Sequence, residues 1–341
     1  MADKNKGDDV FVLGAGFARA ISPTMPLLQD LTGRIEEAAV APLQIPDEVR
    51  SMMTENFAHA LSYLEQAKPW VTEADNLRHR ALFLEISNAI ARDLDQTVDA
   101  AERSLGLKAP QWLKRLIRHW HRHRCRVLTL NYDTLIESVA ARIKVPDGPI
   151  RAGQVYPPVL TDAGLRSGGA QPEQHVETFR LLKLHGSTNW YYSGRAAARG
   201  EPIYFVPPLP QNSSTVARRA HEQRRRAVAD KYPFLVPPIY DKSPLLTHET
   251  IRALWFEAGE ALKHATRVVC MGYSLPESDL TMKHFLRASC RDGVRFEVVN
   301  PADKALANFE RLFRGTRVQL EQCVTGRDCI AQFVDSRLRD R

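Results

Sequence analysis

The feature that most constrains this chain is a short apolar run that stops at two glycines. Val10-Phe-Val-Leu13 leads directly into Gly14-Ala15-Gly16. Four apolar residues are too few for a helix and fit a strand buried on both faces, the kind found in parallel sheets covered by helices. The pattern recurs. Arg126-Val-Leu-Thr-Leu130 ends at Asn131-Tyr132-Asp133, Arg180-Leu-Leu-Lys-Leu184 at His185-Gly186-Ser187, Arg267–Met271 at Gly272-Tyr273-Ser274, and Val294–Val299 at Asn300. Ligands of open parallel sheets bind outside the carboxyl ends of the strands. One glycine or polar residue at a strand exit is an ordinary turn, but five such exits mark a candidate site.

Between the first two runs, from about Leu27 to Arg126, the apolar spacing is helical, as at Phe57, Leu61 and Leu64 or Ala81, Leu84 and Ile86. Pro146 to Pro172 carries five Gly and five Pro and reads as loop. Pro202 to Pro238 sets proline pairs around a basic helix at Arg218 to Asp230. From Leu245 helices and strands alternate, with a last short strand near Val318. The expected fold class is α/β: a Rossmann-like, doubly wound parallel sheet in one domain spanning 1–341, with a helical insertion at 35–125 after the first strand.

Composition narrows the class. Of 341 residues, 44% are hydrophobic and 26% charged, which suits a globular chain and not a disordered one. No window approaches the roughly 20 apolar residues of a membrane helix, and MADKNKGDD lacks a signal peptide's apolar core, so a cytoplasmic protein off the membrane is expected. Cys125, Cys270, Cys290, Cys323 and Cys329 form no CxxC pair, which argues against a disulfide framework and a zinc ribbon; no metal is expected. The basic run from Lys114 to Arg126 places His119 and His123 at i, i+4 without a visible third ligand, and reads as a solvated face or interaction surface. The net charge of +7 suits an anionic ligand or partner, and direct nucleic-acid contact is left open.

The ordinary dinucleotide fingerprint wants a third glycine where Arg19 stands, and an acidic residue closing a second strand where Glu36 and Glu37 lie in a helical run. That argues against a hydride-transferring dehydrogenase. The turn at Gly14, Ala15, Gly16 and Phe17 still lets backbone approach a diphosphate, with a helix N-terminus behind it.

Gly14-Ala15-Gly16, Thr129-Leu-Asn131-Tyr-Asp133, Leu184-His185-Gly186-Ser187, Gly272-Tyr-Ser274-Leu and Val299-Asn300, in this order, resemble the sirtuin (silent information regulator) fold. NYDTLIE, KLHGSTNW and GYSLPESD are similar to variants in the bacterial sirtuin-like NAD hydrolases of antiphage defence. The resemblance runs from Val10 to about Val334. Two departures separate the chain from the deacylating sirtuins. No cysteine lies between Cys125 and Cys270 to build their four-cysteine zinc module, and Pro26-Leu27-Leu28-Gln29 stands in place of their Pro-Asp-Phe-Arg stretch. Ala18 replaces a common serine or threonine.

The resemblance implies NAD as substrate, contacts from Gly14, Ala15, Gly16, Phe17, Gly272, Ser274 and Asn300, and catalysis by His185, Asn131 and Asp133. The chemistry agrees. The nicotinamide–ribose bond releases a neutral ring, so the site needs no acid; it must stabilise an oxocarbenium-like centre and place a water. A neutral His185 can accept from a ribose hydroxyl, Asn131 can donate and accept at once, and Asp133 can accept from the carboxamide or cap the following helix. The implied product pair is nicotinamide and ADP-ribose. An ungated hydrolase would drain its own cell, so the expectation extends to a homo-oligomer and an activating protein partner, Argonaute-like or a translocase ATPase. Two other readings stand beside it: NAD-dependent deacylation or ADP-ribosyl transfer, and a non-catalytic module sensing NAD or ADP-ribose.

Overall fold

The computed structural model describes residues 9–31, 33–35, 45–105, 108–145, 148–166, 168, 176–194, 198, 200–209, 213–240, 242 and 245–338. The strands, in chain order, are β1 (Asp9–Leu13), β2 (Arg126–Thr129), the hairpin β3 (Lys144–Val145) and β4 (Gly148–Pro149), β5 (Leu160–Asp162), β6 (Arg180–Lys183), β7 (Gly186–Tyr192), β8 (Ile203–Phe205), β9 (Tyr232–Leu235), β10 (Arg267–Met271), β11 (Arg295–Val299) and β12 (Gln319–Val324).

Six strands form one sheet, ordered β12-β11-β10-β1-β2-β6, and every neighbouring pair is parallel. Counted in chain order within the sheet this is 6-5-4-1-2-3, the doubly wound Rossmann order, with its switch point between β1 and β10. The central strand is sealed, since Val10, Phe11, Val12 and Leu13 are all 0% exposed. The helix Gln111–His123 buries Leu113, Leu116, Ile117 and Trp120, one stripe at helical spacing, and Trp120 lies edge-on to Phe11. The basic run is thus the outer face of a core helix, where Arg115 pairs with Asp335 and Arg124 with Glu177.

The segment between β1 and β2 is helical as expected, with helices at Asp47–Glu55, Phe57–Glu65 and Glu73–Leu105. It has an apolar cluster of its own, built on residues such as Ile35, Met53, Leu61, Phe83 and Ile90. Outside the helical segment, that cluster takes in Ile239, with Tyr132 and Leu235 packed against it. The 33-residue helix Glu73–Leu105 joins the two cores, because Val98, Ala101 and Leu105 at its end belong to the sheet's cluster.

Residues 146–172, expected as loop, lie partly outside the described residues; the described part holds β4, β5 and two four-residue helices, Ala152–Val155 and Ala163–Arg166. β5 belongs to a second sheet, ordered β5-β8-β7-β9. Only Leu184 and His185 separate β6 of the first sheet from β7 of the second. The chain turns there on Gly186, whose φ is +83° and whose added Cβ would lie 2.2 Å from the Phe234 carbonyl oxygen, so a side chain is excluded. Among the described residues no helix is long and apolar enough to cross a membrane.

Candidate functional site

At the switch point the β1 and β10 turns interlock. A Cβ on Gly14 would lie 2.6 Å from Tyr273 Cα, and one on Gly272 would lie 2.2 Å from Phe17 N, with Gly272 at φ +64°. Glycine is required here so that two strand exits can touch. The same contact uses the backbone donors expected to meet a diphosphate. Gly14 N donates to the Met271 carbonyl, Gly16 N to that of Gly272 and Phe17 N to that of Gly14. The Phe17 ring is core, edge-on to Trp112.

From β2, Asn131 Nδ2 donates to the Gly14 carbonyl at 2.9 Å, which fixes the amide and leaves its oxygen as the acceptor. Asp133 Oδ1 accepts from Leu135 N at 3.1 Å, an Asx-type turn just ahead of the helix Leu135–Ala140, whose N-cap position is Thr134. Burial raises the Asp133 pKa, against the opposing pull of the Lys183 ammonium. Beneath it lies a sealed ion pair, Lys183 to Glu137 at 3.0 Å, with both side chains 1% exposed. Lys183 Nζ also donates to the Asp133 carbonyl, and the Tyr156 hydroxyl donates to Glu137 at 2.6 Å. Both donors meet Glu137 Oε1 while Oε2 is buried without a hydrogen-bond partner among the described residues, and the pair holds the Asn-Tyr-Asp turn onto β6.

His185 is 6% exposed. Burial is the main cause that pushes its pKa down to about 3; the Lys242 ammonium adds to this, and Asp279 and a hydrogen bond to the Leu130 carbonyl oppose it. The imidazole is therefore neutral at any physiological pH, and a much weaker base than an ordinary histidine. Lys242 Nζ stands 3.4 Å from His185 Nε2 and 2.7 Å from Asp279 Oδ1, and the Tyr273 hydroxyl donates to Asp279 Oδ2 at 2.8 Å. Burial raises the Asp279 pKa, but Lys242, His185 and Tyr273 outweigh it and the net shift is downward. Tyr132 and Trp255 flank the imidazole, their ring centroids 6.5 and 6.3 Å away.

The strand exits thus close into a ring: Gly14 to Asn131, Leu184 N to the Thr129 carbonyl, His185 to Lys242, Lys242 to Asp279, Asp279 to Tyr273, and Tyr273 back against Gly14. Gly272 N donates to the Val299 carbonyl and ties in β11. Asn300 Oδ1 accepts from Ala302 N at 3.1 Å and acts as a turn former, while Ser274 is exposed and its carbonyl accepts from Asn308 at 2.8 Å. Lys242 and Asp279 are the members that sequence reasoning missed. Asp279 stands inside the GYSLPESD stretch and Lys242 follows a proline pair, but neither offers a spacing that predicts the other.

The rings of His119 and His123 lie 4.5 Å apart on the helix Gln111–His123. Among the described residues the group able to hold a metal ion is Glu297, Glu321 and Cys323, where Glu297 is already paired with Arg267 and Arg295. Beside Tyr132 a cleft of about 490 Å³ opens between the helix Glu73–Leu105 and the second sheet, lined by Leu84, Asn88, Tyr192 and Tyr232 among others.

No protein-family description matches the chain, and no curated protein does. Among solved structures there is distant similarity to Sir2 proteins over nearly the full length. A Sir2 protein bound to a propionylated peptide is 13% identical with a TM-score of 0.36, over 96% of this chain and 92% of that one. A structure addressing the mechanism and regulation of Sir2 enzymes is 15% identical with a TM-score of 0.39, over 98% and 94%. Sir2 with a p53 peptide and NAD+ is 14% identical with a TM-score of 0.34, over 96% and 90%.

Proposed function

We propose that this chain is an NAD+ glycohydrolase, cleaving the nicotinamide–ribose bond with water to give nicotinamide and ADP-ribose. The observation that carries this reading is the ring of strand exits, in which a neutral His185 and the acceptor oxygen of Asn131 stand at the switch point of a Rossmann-order sheet. The residues suit the ribose end of NAD. His185 accepts from a ribose hydroxyl, and Asn131 accepts from a second hydroxyl or from the attacking water. Departure of a neutral ring asks for no protonating acid, and Asp133, tied to Leu135 N, is a positioning group in this scheme.

Gating follows from burial. Asn131 is 8%, Asp133 7% and His185 6% exposed, so a dinucleotide reaches them only after the surrounding loops shift. We assign that shift to an activating partner protein or to assembly of several copies, and the physiological role to a gated NAD-depleting effector of antiphage defence. The test is NAD loss in the purified chain together with the products of its neighbouring genes. Wild type consumes NAD, while Asn131→Ala and His185→Ala abolish consumption without unfolding the protein. Intact NAD under every activating condition would sink the proposal, and O-acyl-ADP-ribose formed from an acylated peptide would replace it with deacylation.

A further inference from the structure

Lys242 is a buried ammonium that the scheme above does not use. It is 4% exposed and spans two loops, touching Asp279 beyond β10 and His185 beyond β6. Its pairing with Asp279 is complete, because both carboxylate oxygens are engaged, one by Lys242 and one by the Tyr273 hydroxyl. The second contact, to His185 Nε2, is longer at 3.4 Å. An ammonium only donates, so the ring nitrogen it faces, Nε2, presents the lone pair and the imidazole proton lies on Nδ1. At one place, then, the site holds a fixed acceptor next to a fixed donor.

A hydroxyl is the ligand group that satisfies both. An oxygen about 2.8 Å from each nitrogen closes a triangle on a 3.4 Å base, donating its proton to Nε2 and accepting from Nζ. A carbonyl or phosphate oxygen could meet Lys242 but would set lone pair against lone pair at His185. A cationic group would meet the reverse conflict. Full proton transfer to His185 would place two cations side by side, so the imidazole orients the hydroxyl and does not carry its proton away.

We infer that Lys242 and His185 form a two-point clamp for one sugar hydroxyl, and that Lys242 is a specificity-determining residue of this site. The inference rests on the NAD-hydrolase reading and adds the residue that tells a hydroxylated ribose from a deoxy one. The clamp also gives the helical insertion a task. Tyr240 N donates to Ser62 Oγ at 2.8 Å, Asn56 Nδ2 donates to the Tyr240 hydroxyl at 3.2 Å, and Ile239 is buried in the insertion's cluster. The loop that delivers Lys242 is thus held from the insertion.

The experiment compares NAD with its 2′-deoxy and 3′-deoxy nicotinamide-ribose analogues in the activated complex. A site built to bond a hydroxyl rejects the analogue lacking it strongly, so wild type prefers NAD over one analogue by about a hundredfold or more in kcat/KM. Lys242→Met narrows that gap by at least about tenfold, and Lys242→Arg restores most of it. Lys242→Met combined with Asp279→Asn leaves no unpaired buried carboxylate and shows the same narrowing. An unchanged gap in both Met variants, or equal use of both deoxy analogues by wild type, overturns the clamp. If no preparation cleaves NAD, the hydrolase reading fails separately, and nitrogen-15 spectra of His185 during NAD titration decide the clamp. A shift of the Nε2 resonance that is lost in Lys242→Met sustains it; no shift in wild type overturns it.

Discussion

The sheet and the helical insertion divide the labour unequally. The sheet's core is continuous, and its strand exits carry His185, Asn131, Asp279 and the interlocked glycines. The insertion contributes none of the ring residues, yet it holds the loops that do. Glu102 accepts from the Thr134 hydroxyl at 2.8 Å and from Ser138, next to the Asn-Tyr-Asp turn, while Ser62 and Asn56 hold the loop of Lys242. The proposed ligand-facing residues therefore stand on the sheet, while part of what fixes their loops comes from the insertion.

The sharpest way to break that contrast is inside the sheet's support. Lys183→Met leaves Glu137 charged, buried and without its cation, and should cost about 3–5 kcal/mol in denaturant unfolding. A loss below about 1 kcal/mol would show that the pair is not structural. Ile239→Ala attacks the insertion's hold on the Lys242 loop, with an expected cost of about 2–4 kcal/mol and a fall in activity at temperatures where the protein is still folded. If activity followed the folded fraction alone, the insertion would be a passive passenger.

The smallest effect separates the two regions by pH. Burial, opposed by hydrogen bonds from Ser138 and Thr134, raises Glu102 to about 7, so its unfolded form ionises first and it subtracts stability as pH rises from about 4.5 to 7. His185 works the other way. Its folded pKa lies below its unfolded one, so its contribution is complete above about pH 6.5 and is lost as pH falls toward about 3. Glu102→Gln removes the opposing trend, and the unfolding free energy from denaturant titrations should then rise more steeply between about pH 4.5 and 6.5, by on the order of 1 kcal/mol per pH unit. An unaltered slope would mean that Glu102 is ordinary in its acidity.

The six parallel strands and the helical character of the insertion could be read from the chain because each rests on local signals: apolar runs ending in glycine or polar residues, and apolar positions at helical spacing. The placing of His185 and Asn131 just beyond strand ends was legible for the same reason. The second sheet escaped because β5 and β8 are three residues each and pair across a long separation, a contact that no local pattern announces. Lys242 escaped likewise. It follows Pro237-Pro238 in a stretch that reads as loop, and its meaning depends on Asp279 and His185, which are distant in sequence. The sequence placed the glycines at strand exits but gave no sign that the two turns press together there.

The shortest of the links between the parallel sheet and the antiparallel one is Leu184 and His185, and the His185 carbonyl accepts from Val236 N just beyond β9. A tilt of the second sheet against the first would therefore bear on the backbone of His185 and Gly186 before any other part of the proposed site.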